Sequence, residues 1–422
     1  MEEIVLQHIH KNGNSIRFDF SVTSGLADYF SGKPFIIEYP ENIESVPDAV
    51  AAIPFVCNVL PIVWLTNSVL RVKELDESFY SCIANVKAGY ETMFPESTFA
   101  GSVQAERIIP CDARDTGGSA AFFSGGLDAV NTLVCHLKER PALISIWGAD
   151  IRFENAEGWD RVHSGIAQYA QKYQLPDVTI RSSFRDFDSE SALHKKFSGQ
   201  LKDGWWHGVK HGLGLLGHAA PYAYLHGLSK IYIASSNCPA DGAVRCASNP
   251  LTDNQVRFAN AQVIHDGFEF SRQDKVRNIV EYVRATADPL SVHVCWESQS
   301  GGNCCRCEKC YRTMVGLIAE GADPAEYGFE HTADTLNYLR RYLIIGCEDK
   351  GVLRRQWTHI QKRLKENARA VRKLPYWKQV RWMLHADFSH PESLKMPFHL
   401  RTWLSGFKFY QMLHNIKVKY RD

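Results

Sequence analysis

The sequence predicts an α/β protein: a parallel sheet with helices on both faces, an N-terminal α+β domain and a helical C-terminal extension. Three observations carry that prediction. Between about residues 116 and 330, short apolar runs alternate with amphipathic stretches of helical period. The 422 residues exceed what one ordinary core organises, so more than one domain is expected. The charge is also uneven. The chain carries +1 overall, yet residues 340–422 hold 19 Lys/Arg against 6 Asp/Glu, a net +13 that leaves −12 elsewhere. The expected domains are therefore 1–115, 116–330 and 331–422.

In chain order, "SIRFDFSV" and "KPFIIEYP" read as strands and "ESFYSCIANVKAGYETMF" as a helix. The apolar run "AVAAIPFVCNVLPIVWL", residues 49–65, is too short and too interrupted by proline for a membrane span, and reads as core strands. The alternation then begins. "SAAFFSG" is a strand, "DAVNTLVCHLKER" a helix, "ALISIWG" a strand, "GWDRVHSGIAQYAQKYQ" a helix and "DVTIRSSF" a strand. "HGVKHGLGLLGHAAPYAYLHG" follows as an apolar helix and "SKIYIASS" as a fourth strand. The tail is helical in pattern, and its basic amphipathic stretch "VLRRQWTHIQKRLKENARAVRKL" stops at Pro375.

A composition of 45% hydrophobic and 23% charged residues fits a globular protein. The N-terminus lacks a basic stretch followed by an apolar one, so a cytoplasmic location is expected. There, 12 cysteines point to metal ligands, reactive groups or buried apolar residues rather than disulfides.

Two motifs carry chemistry. In "AFFSGGLDAVNT", Ser124, Gly125 and Gly126 end a strand and open a helix. Glycines there let backbone N–H groups approach an anion, and the helix N-terminus adds partial positive charge. Asp128 suits either Mg²⁺ or the first turn of a helix. From the three residues alone, a plain helix-capping turn is the better reading. The second motif is "HVCWESQSGGNCCRCEKC". Cys295, Cys304, Cys307 and Cys310 have the spacing of a four-thiolate zinc site, with Cys305 as a spare. Sets that use Cys305, or an iron–sulfur cluster, are alternatives.

"SGGLDA" after "AFF" resembles the SGGxDS loop of the N-type ATP pyrophosphatases, with Ala129 in place of the final serine. Loop and four-cysteine site in this order are similar to the 7-cyano-7-deazaguanine synthase-like proteins, over roughly residues 118–318. The resemblance implies an adenine nucleotide α-hydrolase-like (HUP-like) fold. It also implies ATP, Mg²⁺ and Zn²⁺ as cofactors, and cleavage of ATP to AMP and pyrophosphate. By the same carry-over, Phe123, Ser124, Gly125, Gly126, Leu127 and Asp128 form the pyrophosphate loop. Some relatives of this kind belong to anti-phage operons and act on a protein partner. A substrate carboxylate or amide, of a deazaguanine-type acid or of a protein, would be adenylated and then attacked by a nitrogen nucleophile.

Further candidates stand at expected strand ends. Asp150 in "WGAD" and Arg181 in "IRSSFRDF" suit a nucleotide, as loop or surface roles also would. His207 and His211 share a helix face but lack a visible third metal ligand, and His211-Gly212 matches a His-Gly pair of the synthase-like set. Ser235 follows the fourth strand, where substrate is expected. Arg272 and Lys275 lie in "HDGFEFSRQDK", which resembles a stretch of that set; they are assigned with Ser124 and Asp128 to catalysis, the positive pair to stabilise developing charge, and an ion-paired helix N-terminus suits Arg272 and Lys275 equally well.

Other readings remain open. The zinc knuckle and basic tail, with Trp357, Tyr376, Trp377, Trp382 and Trp403, would suit a non-catalytic nucleotide- and nucleic-acid-binding module. The tail would equally suit an anionic membrane or an acidic partner, and a homo-oligomer is left open. A sulfur-insertion variant would use Cys238 or Cys246 as carrier.

Overall fold

The computed structural model describes residues 2–111, 115–295, 297, 302–330, 332–347 and 349–390. It divides the chain into two compact units, Met1–Cys304 and Cys305–Asp422. The expected boundary at 115/116 falls inside the first unit and that at 330/331 inside the second.

The first unit is built on one 11-stranded sheet flanked by helices. Its strands are β1 (Glu3–Asn12), β2 (Ser15–Val22), β3 (Phe35–Glu38), β4 (Val69–Asp76), β5 (Ser102–Ile109) and β6 (Gly118–Phe122). They continue as β7 (Ala142–Trp147), β8 (Asp177–Ser182), β9 (Leu228–Ala234), β10 (Arg257–Phe258) and β11 (Ala261–Asp266). The spatial order is β10-β11-β9-β6-β7-β8-β3-β2-β1-β4-β5. The central pairs β11–β9, β9–β6, β6–β7 and β7–β8 are all parallel. Counted among themselves these five strands run 3-2-1-4-5, the doubly wound order, with its switch point between β6 and β9. β6 is buried along its middle, as a strand covered on both faces must be.

The N-terminal strands extend this sheet. β3 pairs antiparallel with β8 through Ile37↔Ser182 and Glu38↔Arg181. An aromatic cluster closes the seam. Phe35 stacks on Phe187 at 4.5 Å, Phe18 lies 4.9 Å from Phe35, and Phe55 lies 5.5 Å from Phe18. Each such ring buries on the order of 150–250 Å², worth a few kcal/mol. Separating residues 1–115 from the rest would expose this cluster.

Residues 49–65 are not strands. They fall in a short helix, Asp48–Ala51, and in the helix Ile53–Thr66, buried from Ile53 to Trp64. A continuous apolar run has no period to distinguish strand from helix, and its length favours helix. Pro54 sits in the first turn, where its missing N–H costs nothing, and Asn67 at φ +53° ends the helix. Among the described residues no helix is long and apolar enough to cross a membrane.

The second unit is helical. Trp357 is fully buried and donates from Nε1 to Glu308 Oε1 at 3.0 Å. Arg363 pairs with Glu320, and the Tyr376 hydroxyl donates to Asp323 at 2.8 Å. Two of the aromatic residues offered for base stacking, Trp357 and Tyr376, are therefore core residues. Trp403 lies outside the described residues.

Candidate functional site

β6 ends at Phe122, and the chain turns through residues 123–126 into the helix Leu127–His136. Gly125 takes φ +70°, a conformation open to glycine at little cost. A Cβ on Gly126 would stand 3.3 Å from Ser124 Oγ, so the turn is tight. The Gly126 N–H points to Ser124 Oγ at 3.4 Å, and Gly126 caps the helix without any side-chain bond. Phe123 and Leu127 are buried on either side of the turn, and Phe123 packs edge-on against Tyr169 at 5.0 Å. Their side chains pack inward, and Ser124 between them is exposed. Ala129 is buried beneath.

The topology brings the two predicted catalytic pairs together. Arg272 Nη1 is 3.0 Å from Asp128 Oδ2, and Lys275 Nζ is 3.4 Å from Asp128 Oδ1. Arg272 opens the helix Arg272–Thr286, whose start is set by a capping box between Ser271 and Asp274. Lys275 is almost wholly buried and also donates to the carbonyl of Ser235, just past β9. Both strands of the switch point therefore contribute to one cluster. The Ser235 hydroxyl donates to Asn237 O at 2.7 Å and shapes its own turn.

His293 was missed by sequence reasoning. Its N–H donates to Gly125 O at 2.8 Å, and its Nε2 is buried without a hydrogen-bond partner among the described residues. Burial holds its imidazole below the ordinary value. A single histidine beside a cysteine motif carries no local signal that would have marked it.

Other candidates have structural employment. Arg181 pairs with Glu38 at 3.1 Å, donates to Phe153 O, and stacks over the Trp147 and Phe153 rings at 4.5 and 3.9 Å. It binds the seam between β3 and β8. Asp150 is exposed in the turn after β7, on the same edge as the glycine loop. Asp266, at the end of β11, braces the Leu127 helix through Thr132 at 2.6 Å and His136 at 2.8 Å. His211 and Gly212 sit at the start of the crossover helix before β9, beside Cys246 rather than beside Ser124 in any contact the structure makes.

The four cysteines converge. The Sγ atoms of Cys295, Cys304, Cys307 and Cys310 all lie within 4.8 Å of one another. Zn–S bonds of about 2.3 Å in a tetrahedron place sulfurs roughly 3.8 Å apart, so the set fits one zinc ion. Cys305 is outside the set and takes φ +57°, the left-handed turn conformation.

Compared with protein-family models, with curated proteins and with solved structures, the chain matches none.

Proposed function

We propose that this chain is an adenylating enzyme of the N-type ATP pyrophosphatase kind, HUP-like in its central sheet and similar to the 7-cyano-7-deazaguanine synthase-like proteins. One observation supports this above the others. A glycine turn lies at the switch point of a 3-2-1-4-5 parallel sheet, with Arg272 and Lys275 drawn onto Asp128 behind it.

The residues suit a pyrophosphate. Backbone N–H groups of the turn, the Ser124 hydroxyl and two buried or half-buried cations stand where negative charge would lie. The orphaned His293 Nε2 adds a buried polar atom beside the turn. Magnesium is a poorer fit to the protein alone. Both oxygens of Asp128 are engaged by cations, so a metal ion would have to arrive on the nucleotide.

In this reading a substrate carboxylate or amide oxygen attacks the α-phosphorus of ATP, and pyrophosphate leaves into the glycine turn. Arg272 and Lys275 neutralise the departing charge, Asp128 holds both cations in place, and the turn fixes the line of attack. A nitrogen nucleophile then displaces AMP from the activated carbon. The four-cysteine site is structural, since four thiolates leave zinc no open position. A protein substrate, as in the anti-phage branch, is the alternative to a deazaguanine-type acid. The non-catalytic nucleic-acid reading loses weight because Trp357 and Tyr376 are buried.

The test is turnover of α-³²P-ATP with Mg²⁺, offered 7-carboxy-7-deazaguanine with ammonium or, separately, cell lysate. AMP and pyrophosphate from the wild type and not from Ser124→Ala/Asp128→Ala support the reading. ADP and phosphate, or no turnover with zinc bound, refute it.

A further inference from the structure

A second cluster lies on the same edge of the sheet and takes no part in the chemistry above. Trp206–Lys210 form a π turn that runs into the helix His211–Gly217. Such turns often mark functional positions in helices. This one is anchored by Lys210, whose Nζ donates to both oxygens of Asp188 at 2.7 and 2.6 Å and to Phe184 O at 2.9 Å. Phe184 stands two residues beyond the end of β8, which places the turn at the C-terminal edge of the strands.

The turn and the first residue of the helix present two imidazoles, His207 and His211, with ring centroids 5.9 Å apart and planes within 27°. Each is oriented through Nδ1. His207 Nδ1 bonds Asp203 Oδ2 at 2.6 Å, and His211 Nδ1 donates to Trp206 O at 3.1 Å. Their Nε2 atoms are left for a third group. That group is Cys246, on the loop leaving β9, with Sγ 3.7 Å from His211 Nε2 and close enough to His207 for each to shift the other's titration. The approach is built into the backbone. A Cβ on Gly212 would stand 2.1 Å from Ala247 O, and the Ala247 N–H donates to His207 O at 2.8 Å. Cys246 is buried while the His207 side chain is 55% exposed, so the cluster opens to solvent through His207.

The electrostatics agree with the geometry. Burial alone would push the Cys246 thiol up, but His207 and then His211 bring it down to about 6. Cys246 in turn raises His207 to about 9. Tyr90, whose hydroxyl donates to Val209 O, is also near the thiol, and Asp253, near Tyr90, is paired with His265. By contrast Cys57 and Cys82 are pushed up by burial. A thiolate held beside an imidazolium is the reactive form of cysteine.

We propose that Cys246, with His211 and His207 as its proton partners and Asp203 orienting His207, is a nucleophile that accepts an acyl group from an activated carboxylate. The proposal rests on the adenylation reading for its acyl donor. The Cys246 thiolate attacks the carbonyl carbon of an acyl-adenylate. The carbon–oxygen bond to phosphate breaks, and AMP leaves with that electron pair. An amine then attacks the thioester, the carbon–sulfur bond breaks, and the thiolate is regenerated as the amine proton passes to solvent.

The full-length, zinc-loaded protein is alkylated with iodoacetamide between about pH 5 and pH 9, and each cysteine is followed by peptide mass spectrometry. Cys246 should label half-maximally near pH 6, where Cys57 and Cys82 stay unlabelled, and His211→Gln should move that midpoint upward by about one unit or more. In a second arm p-nitrophenyl acetate, which needs no ATP, should leave one hydroxylamine-labile acetyl group on Cys246 and none there in Cys246→Ala. A wild-type midpoint above about pH 8, or acetylation elsewhere only, overturns the proposal. AMP formation by the wild type is read separately. AMP released while Cys246 stays unacylated sinks this proposal and leaves the adenylation reading standing. Cys246 acetylated with no AMP formed keeps the nucleophile and removes the adenylate as its donor.

Discussion

Arg272 Nη1 lies 3.0 Å from Asp128 Oδ2, joining two helix N-termini whose residues stand 144 positions apart in the chain. The contact is largely shielded from water, with Arg272 at 11% and Asp128 at 18% side-chain exposure. A cation held there acts on any phosphate in the adjacent turn with little screening. Arg272→Gln should lower kcat for AMP formation by roughly 10²–10³-fold, the cost of removing one preorganised charge donor. KM for ATP should change much less, because Lys275 and the glycine turn remain. A raised KM with kcat unchanged would make Arg272 a simple anchor for ATP.

At Gly125 a side chain meets almost nothing, since the nearest atom to a Cβ would be His293 Cβ at 4.0 Å. The constraint is instead the backbone, at φ +70°. Gly125→Ala should cost about 1–2 kcal/mol of stability, or relax the turn and lose turnover. Gly13, also at positive φ with open space and far from any candidate site, serves as the control. Gly13→Ala should show the same stability loss and full turnover.

The strand–glycine turn–helix junction and the convergence of the four cysteines were legible because each is local, set by residues close together in the chain. What was not legible depends on pairing over long separations. Nothing in "KPFIIEYP" announces that β3 will join β8, so residues 1–115 read as a separate domain and Arg181 as a nucleotide contact rather than a seam residue. His207 and His211 were read from their spacing, but the third member is 35 residues beyond His211 and reaches it only through the glycine contact at 212. The helix at 53–66 was misread for a different reason. A segment buried all round carries no amphipathic signal.

The cysteine motif yields a paired prediction. Cys307→Ala should abolish stoichiometric zinc, because three thiolates cannot close the site, and should loosen the turn around it. Cys305→Gly should keep zinc at one equivalent and leave stability equal or slightly higher, since residue 305 adopts φ +57°. Zinc is measured by elemental analysis after gel filtration. Loss of zinc in Cys305→Gly with retention in Cys307→Ala would reassign the ligand set.

Lys210 and Asp188 form an ion pair with 1% and 0% side-chain exposure. Burial pushes the Asp188 carboxyl up, and Lys210 opposes that shift. Lys210→Met leaves the carboxylate without its cation and should cost roughly 3–5 kcal/mol in urea unfolding. Lys210→Met with Asp188→Asn should recover part of that loss, since the stranded charge is gone. The single variant should also disturb Cys246 labelling, because Lys210 fixes the π turn that carries His207 and leads into His211.

His218 sets an acid limit on the fold. It is fully buried among apolar neighbours, accepts from the Ser182 hydroxyl at Nε2 over 2.8 Å, and donates from Nδ1 to Gly214 O at 2.7 Å. Burial pushes its imidazole down to about 4, against 6.5 for the free side chain. In the window between those values the unfolded chain binds the extra proton and the folded chain does not, so stability rises with pH. The stabilisation is present above 6.5 and is lost as pH falls toward 4. The total is on the order of 3 kcal/mol, of which about 2 should be gone by about pH 5. Urea unfolding at about pH 7 and pH 5 measures it. His218→Gln keeps the hydrogen-bonding capacity without the titration, and its stability should fall by about 2 kcal/mol less than wild type over the same interval. An unchanged pH dependence in that variant would place the acid limit on another group.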